Sequence, residues 1–444
     1  MEENIVMGIN VAGININIIG VIVALVLSIF LIIRKLNPAL AMFLGTMVGS
    51  LVGGASLTQM VDIVILGGRQ VSGINIRIIA GGVLAGVLIE SGAAESIARG
   101  IVRGLGEKRA VTALALSGMI VTGVGVFLPV MALLLAPIAL SVAYKANVSK
   151  FAAILAITGG SKAGNVMSPN PNTIAAAEAF DLPLSQVMIS GFLPGIITLI
   201  ATVILCNMVK NKSFRVEESD LENNDKAADD LPSFGRAMVA PVLTIGLLML
   251  NPIGDIAGVG FISTERLPMD PFYVLPIAAV IGTLAMGKGK KIGEFATKGV
   301  IRMAPAVLML IGAGSLSGLI TNSDFPGMIE NGMMVMGIPT MFLAPISGTI
   351  FGGAVGSTAT GVIIAAESFA ETLTAAGVSA VSAAVMIHAG AAFIDVVPHG
   401  NYFLSIQQGM KASMKERISV MPLEALLGAV MVVSATIIYG FILT

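Results

Sequence analysis

Hydrophobic positions run through this chain in long unbroken blocks, without the alternation of a half-buried strand or the single apolar stripe of a surface helix. The blocks recur at about 17 to 22 residues, enough to cross roughly 30 Å of hydrocarbon as a helix. Barrel strands would be shorter and would alternate. Full spans are predicted at 17–34, 38–55, 76–92, 151–180, 186–209, 236–254, 271–287, 303–321, 380–408 and 423–443, those at 151–180 and 380–408 being interrupted by polar residues and prolines. Two further apolar stretches, 111–144 and 340–370, carry Gly and Pro near their centres. Each is too long for one span and too interrupted for two, which predicts a re-entrant hairpin.

Composition sharpens this into a class. Of 444 residues 56% are hydrophobic and 11% charged, with mean hydropathy +0.94, well outside the soluble globular range. The chain reads as an integral membrane protein. There is no Trp, but 52 Gly and 19 Pro provide for close helix contact and broken helices. MEENIVMGIN carries acids and no basic region, so a cleaved leader is not expected. Net charge is −1, which gives no reason to expect nucleic acid as a partner. Cys206 stands alone, so no intrachain disulfide is possible.

Basic residues set the expected orientation. Twenty-one of the 25 Lys and Arg fall on one side of the predicted spans, only Arg69, Arg77 and Arg266 on the other, and Lys162 within the membrane. The rich side is then the cytoplasm of a multi-pass inner (plasma) membrane protein, and ten crossings place both termini outside. The first hairpin enters from the cytoplasm and the second from outside.

That opposition predicts an inverted repeat, and the halves carry one. Ile79–Gly100 lies over Ile311–Gly332 without a gap, with Gly82/Gly314, Leu84/Leu316, Gly86/Gly318 and Ser91/Ser323 among the identities. Further on, Ser117-Gly118 matches Ser347-Gly348, and Gly160 matches Gly390. With one gap, NVMSPNPN (165–172) then falls on DVVPHGN (395–401). The expected fold is all-α and polytopic: about ten transmembrane helices plus two re-entrant hairpins in a 5+5 inverted repeat with two interrupted helices. The first repeat covers 1–210, a solvated cytoplasmic linker 211–235, and the second repeat 236–444.

The chemistry concentrates at the interruptions. Pro169 and Pro171 cannot donate a backbone hydrogen bond and disfavour helix in the residue before each, so GGSKAGNVMSPNPNT (159–173) is expected to unwind. Two half-helix ends would then face each other in mid-membrane. Ser161, Asn165, Ser168, Asn170, Asn172 and Thr173 add neutral donors and acceptors suited to a carboxylate or polyol. Lys162 would balance a solute's charge or pair with an acid such as Asp395. In the second interruption Asp395 and His399, with His388 upstream, are candidate proton carriers, and His399 and Asn401 candidate ligands; His388 reads equally as a helix-packing residue. The second hairpin tip offers Gly356, Ser357, Thr358 and Thr360, whereas the first, GVGVFLP (123–129), is apolar and suits a gate. Glu178 and Glu367 read as acids at the outer interface, and Glu90 stands near a span end.

The hairpin GVGVFLPVMALLLAPIALSVAY, the interrupted NVMSPNPNTIAAAEAF, the tip GSTATGVIIAAES and the late DVVPHGNYF together resemble the gluconate permease family, within the ion-transporter superfamily of organic-anion carriers. The resemblance implies an inverted-repeat carrier, a homodimer in which a transport domain slides against a scaffold, with proton symport of sugar acids. It places the small-hydroxyl tip on Gly356 to Thr360 and the late acid on Asp395. Where the family's interrupted helix has a His-Pro-Gly-Pro-like run, this chain has Ser168-Pro169-Asn170-Pro171. The expected function is therefore proton-coupled uptake of a small organic anion, a sugar acid or related hydroxy-carboxylate. Sodium-coupled carboxylate symport or sodium/proton exchange is the alternative. No HExxH, Ser/His dyad or Cys/His cluster is present, so neither an enzyme nor a resident metal or cofactor is expected.

Overall fold

Punctuation in the sequence decides where the helices start. Asn37 accepts from the amides of Ala39 and Leu40 while Pro38 takes the first helical position, and Asp270-Pro271 repeats the device. Ser56 and Ser413 each form a reciprocal cap with the residue three positions on. The computed structural model describes residues 5–6, 9–10, 15–34, 36–212, 214–221, 230–259, 262–263, 266–335, 337–398 and 400–443.

Apart from a two-residue antiparallel pair, β1 (Ile5–Val6) with β2 (Ile9–Asn10), the regular elements among these residues are helical. The first half contains α1 (Ile18–Ile33), α2 (Pro38–Val52), α3 (Leu57–Gln70), α4 (Ser72–Glu90), α5 (Ala93–Leu105), α6 (Ala110–Gly123), α7 (Leu128–Lys145), α8 (Lys150–Asn165), α9 (Pro171–Ala179) and α10 (Leu184–Val209). The second contains α11 (Phe234–Ala237), α12 (Val239–Ala257), α13 (Pro271–Ala285), α14 (Ile292–Thr321), α15 (Phe325–Val335), α16 (Leu343–Val355), α17 (Thr358–Ala375), α18 (Ala380–Ala391), α19 (Asn401–Gly409) and α20 (Met414–Ile437). Six helical segments are long and apolar enough to cross a bilayer, judged by length and composition.

Both predicted interruptions are present, between α8 and α9 and between α18 and α19, and both predicted hairpins are helix pairs, α6–α7 and α16–α17. Several boundaries differ from expectation. The first break was expected over 159–173, but α8 continues to Asn165 and only residues 166–170 leave the helix. Proline removes the hydrogen bond to the carbonyl four residues back and no further, so Pro169 spares everything before Asn165. Three helices lie outside the predicted spans, α3, α5 and α15, and α14 begins before residue 303. α5 is strongly amphipathic, with Ala93, Ala94, Ile97 and Ala98 inward and Arg103 in its last turn, a pattern a search for apolar blocks passes over.

The segment expected to be a solvated linker is docked where it is described. Phe214 packs on Phe151, Val216 is buried, and Asp220 pairs with buried Lys150 at 2.8 Å.

Packing is set by small residues. A Cβ on Gly160 would strike the Ala115 carbonyl, and one on Gly118 would meet the Ile157 carbonyl, so α6 and α8 touch backbone to backbone. The second half makes the same pair of contacts: Gly390 lies against the Pro345 carbonyl and Gly348 against the Ile387 carbonyl, joining α16 to α18. A third close crossing sets Gly82 and Gly86 of α4 against Gly299 of α14. Close approach of this kind supplies dispersion contacts where lipid tails leave no hydrophobic drive between helices.

Gly160→Val is expected to prise α6 from α8 and destabilise the protein by about 1–3 kcal/mol. Thermal unfolding of the detergent-solubilised variant measures this, alongside Gly104→Val, where an added Cβ meets nothing within 4 Å, as the unaffected comparison.

Candidate functional site

Pro169 leaves the Asn165 carbonyl without its helical partner, and the chain supplies substitutes. The Ser168 hydroxyl donates to that carbonyl at 3.2 Å and the Asn170 amide nitrogen at 2.8 Å. Asn170 also starts the next helix: its side-chain oxygen accepts from the amides of Asn172 and Thr173 at 2.8 and 3.1 Å, ahead of Pro171 in the first turn. The Thr173 hydroxyl reaches the same oxygen at 3.4 Å. The Asn165 side-chain oxygen is the hub, accepting from Asn170 at 2.9 Å and Asn172 at 2.8 Å, and facing His388 Nε2 at 3.3 Å. The first break is therefore a hydrogen-bonded knot of short polar side chains, fully buried at Ser168.

The second break lies between the end of α18 at Ala391 and the start of α19 at Asn401. Pro398 is its one proline, Gly400 caps α19, and Gly356 in the left-handed region (φ 65°) lets the α16–α17 turn press against Gly400. Asp395 lies here, 1% exposed.

One contact joins the breaks. From the last turn of α8, Lys162 Nζ donates to Asp395 Oδ1 at 2.5 Å and also to the Ala392 carbonyl. The other Asp395 oxygen accepts from the Thr358 hydroxyl at 2.5 Å, at the start of α17. The two breaks and one hairpin tip thus meet in a single buried chain, in which both charges are paired and hydrogen-bonded as burial demands.

A narrow cavity of about 20 Å³, room for about one water, lies beside this chain. Phe127, Leu128 and Pro129 of the first hairpin tip form one wall and Gly356 to Ala359 of the second tip another, with Asn172, Asp395 and Tyr402 between them. Among the described residues, the Asn172 side-chain oxygen and His388 Nδ1 are buried without a hydrogen-bond partner. Apolar walls with a few convergent polar groups are what a small-molecule site needs.

Not every candidate lies there. Lys162, Asn165, Asn172, Gly356, Ser357, Thr358 and Asp395 gather at or beside the cavity. Ser168, Asn170 and Thr173 are occupied in shaping the break. Ser161 turns the other way, donating to the Ile157 carbonyl and touching Met131 Sδ, so it packs α8 against the first hairpin. Thr360 donates to Ser357 Oγ at 3.2 Å and contacts Met309 of α14. Asn401 is exposed at the start of α19, and His399 lies outside the described residues.

A buried polar cluster stands outside the predicted set. Arg417 and Glu424 of α20, neither side chain exposed, form an ion pair; Thr158 of α8 donates to Glu424 at 2.7 Å, and Arg417 lies 4.4 Å over the Phe403 ring of α19. The one sequence signal is an acid two residues into the apolar run LEALLGAVMVV. At the far end of α9, Glu178 bonds Arg77 of α4 at 2.8 Å, and Arg77 also holds Asp270 at 2.7 Å, so Glu178 belongs to an ion triad. Glu90 is paired with Lys298 and Arg302 of α14. Glu367 of α17, by contrast, keeps a buried oxygen without a partner among the described residues.

A model of GntP family permeases matches residues 16–442. The chain belongs to the GntP permease family. It is 43% identical over 422 residues to an uncharacterized transporter of Haemophilus influenzae, covering 95% of this chain and 98% of that one. It is 23% identical to a high-affinity gluconate transporter of Escherichia coli K12, covering 68% and 69% of the two chains, and 24% identical to the D-serine transporter DsdX of Escherichia coli O6:H1, covering 95% and 98%. The fold resembles that of the Alcanivorax borkumensis YdaH transporter, with TM-score 0.58 at 15% identity over 84% of this chain and 87% of that one. As a GntP permease the protein is an integral membrane transporter and not an enzyme.

Lys162→Met is expected to destabilise the permease by about 3–5 kcal/mol, because it strands a buried carboxylate. Combining it with Asp395→Asn should recover most of that loss. Unfolding temperatures of the two single variants and the double variant in detergent complete the cycle.

Proposed function

We propose that this permease takes a small hydroxylated carboxylate across the inner membrane together with protons. The observation that carries the reading is the Lys162–Asp395–Thr358 chain set beside a cavity shared by both hairpin tips. Lys162 offers a cation to the solute's carboxylate, Asp395 takes the proton, and Asn172, Ser357 and Thr358 face the hydroxyl groups. Asn165 and His388 hold the first break in shape beneath them, while Phe127 and Leu128 close the apolar side. Gluconate and D-serine, carried by the two named relatives, are both carboxylates bearing hydroxyl groups, which is the common chemistry these side chains would meet.

The reading includes the architecture. The two halves, 1–210 and 236–444, are repeats of opposite orientation joined through 211–235, with about ten crossings, two re-entrant hairpins and both termini outside. In its favour, residues matched by the repeat make matching contacts: Gly118 and Gly348 each meet the carbonyl of the following broken helix, and Gly160 and Gly390 each meet that of the preceding hairpin. Asn165 and Asp395, aligned in sequence, stand at the two breaks, Asn165 as the last residue of α8 and Asp395 within the segment that follows α18. The distribution of Lys and Arg supports the orientation.

Purified protein in proteoliposomes, offered a panel of sugar acids and short hydroxy-acids, should accumulate at least one of them when the outside is made acidic, and a protonophore should abolish the accumulation. Uptake that requires a sodium gradient and ignores the proton gradient would replace protons by sodium in this reading.

A further inference from the structure

The two roles just assigned to Lys162 and Asp395 exclude one another, because each group is the other's partner. Lys162 has three N–H donors and commits two of them, to Asp395 and to the Ala392 carbonyl. The side chains are 0% and 2% exposed, so neither charge is left to water. A solute carboxylate therefore cannot approach Lys162 in this arrangement without displacing Asp395, and a displaced Asp395 would be a bare anion beside a second anion.

We propose that the pair is the coupling device itself: in the empty carrier the Asp395 carboxylate occupies the place on Lys162 that the solute's carboxylate takes when loaded, so one proton and one carboxylate enter as an exchange. The proposal rests on the proton-coupled reading above and adds its stoichiometry and charge. A proton from water on the outer side bonds to an Asp395 oxygen, and the ion pair with Lys162 is lost. The solute's carboxylate then forms the replacement ion pair with the same ammonium. On the inner side the solute leaves, the proton returns to water, and the Lys162–Asp395 pair closes again. Lys162 with ionised Asp395 sums to zero charge, and Lys162 with protonated Asp395 and a monoanion also sums to zero. Both the loaded and the empty site therefore cross the membrane neutral, which a low-dielectric path favours.

The groups around Asp395 are compatible with this division of labour. Thr358 of α17 donates to the oxygen that Lys162 does not hold, and Tyr402 of α19 shares the cavity. On α20 the nearby charges, Arg417 and Glu424, neutralise each other. On α18 His388 is turned to Asn165. Among the described residues, that leaves Lys162 as the cation on which the charge of Asp395 depends.

The test uses the reconstituted protein with D-gluconate, or with whichever monoanionic acid of the panel it accumulates. Wild-type accumulation at a fixed pH gradient should be unchanged when a potassium diffusion potential of about 100 mV is imposed, whereas one uncompensated charge would move it about fifty-fold. Asp395→Asn, neutral when loaded but carrying the Lys162 charge when empty, should retain solute-for-solute exchange at a rate indifferent to pH while losing net uptake. Wild-type accumulation that follows the imposed potential, or exchange by Asp395→Asn with the wild-type pH dependence, overturns the proposal and leaves proton-coupled transport standing. Absence of proton-driven uptake of every acid removes the carrier reading and this proposal together. If Asp395→Asn does not fold, the potential measurement on the wild type decides alone.

Discussion

A lysine and an aspartate held 2.5 Å apart where neither reaches water constrain everything around them. An ionised group in such a place is tolerated only when it is paired and its remaining hydrogen-bonding capacity is met. Here that requires two interrupted helices to present their ends to each other, one bringing Lys162 and the other Asp395 with the Ala392 carbonyl, and a hairpin tip to bring Thr358. Any rearrangement that separates the breaks must first find other partners for both charges. In a permease, where the site has to open, that requirement ties motion to chemistry.

The first break holds because the carbonyl freed by its proline and the start of the following helix are answered locally. Ser168 and Asn170 take over the carbonyl that Pro169 frees, and Asn170 caps the helix that Pro171 begins. This self-sufficiency lets a helix be cut in a lipid-embedded protein without leaving unsatisfied backbone. Around the breaks, glycine-lined crossings fasten α6 to α8 and α16 to α18, so each broken helix is welded to the hairpin that precedes it.

Much of this was legible in the residue order, and the exceptions have physical causes. Two prolines two residues apart and a Gly-rich tip inside apolar blocks announce interruptions of the helices, and the helices do stop there, between α8 and α9 and between α16 and α17. The family resemblance, read from the same motifs, agrees with the GntP model match. The extent of the first break was overread, because Gly159, Gly160 and Gly164 look like unwinding signals but serve as contact points of an intact helix. Ser161 was overread for a related reason: position in a polar run does not reveal that its side chain turns toward Met131. The Arg417–Glu424–Thr158 cluster was missed, because Thr158 and Glu424 are 266 positions apart and only the packed fold joins them. α3 and α5 escaped because a search for uninterrupted apolar blocks discards helices with one polar face.

The two hairpin tips meet at one cavity but are unlike: Phe127, Leu128 and Pro129 on one side, Ser357 and Thr358 on the other. On the proposed reading, one arm is a plain greasy wall and its counterpart carries the recognition groups. It follows from that reading that substitutions in a two-residue stretch of the second arm retune which solute is admitted while the first arm keeps the seal, so divergence in cargo need not disturb the machinery of movement.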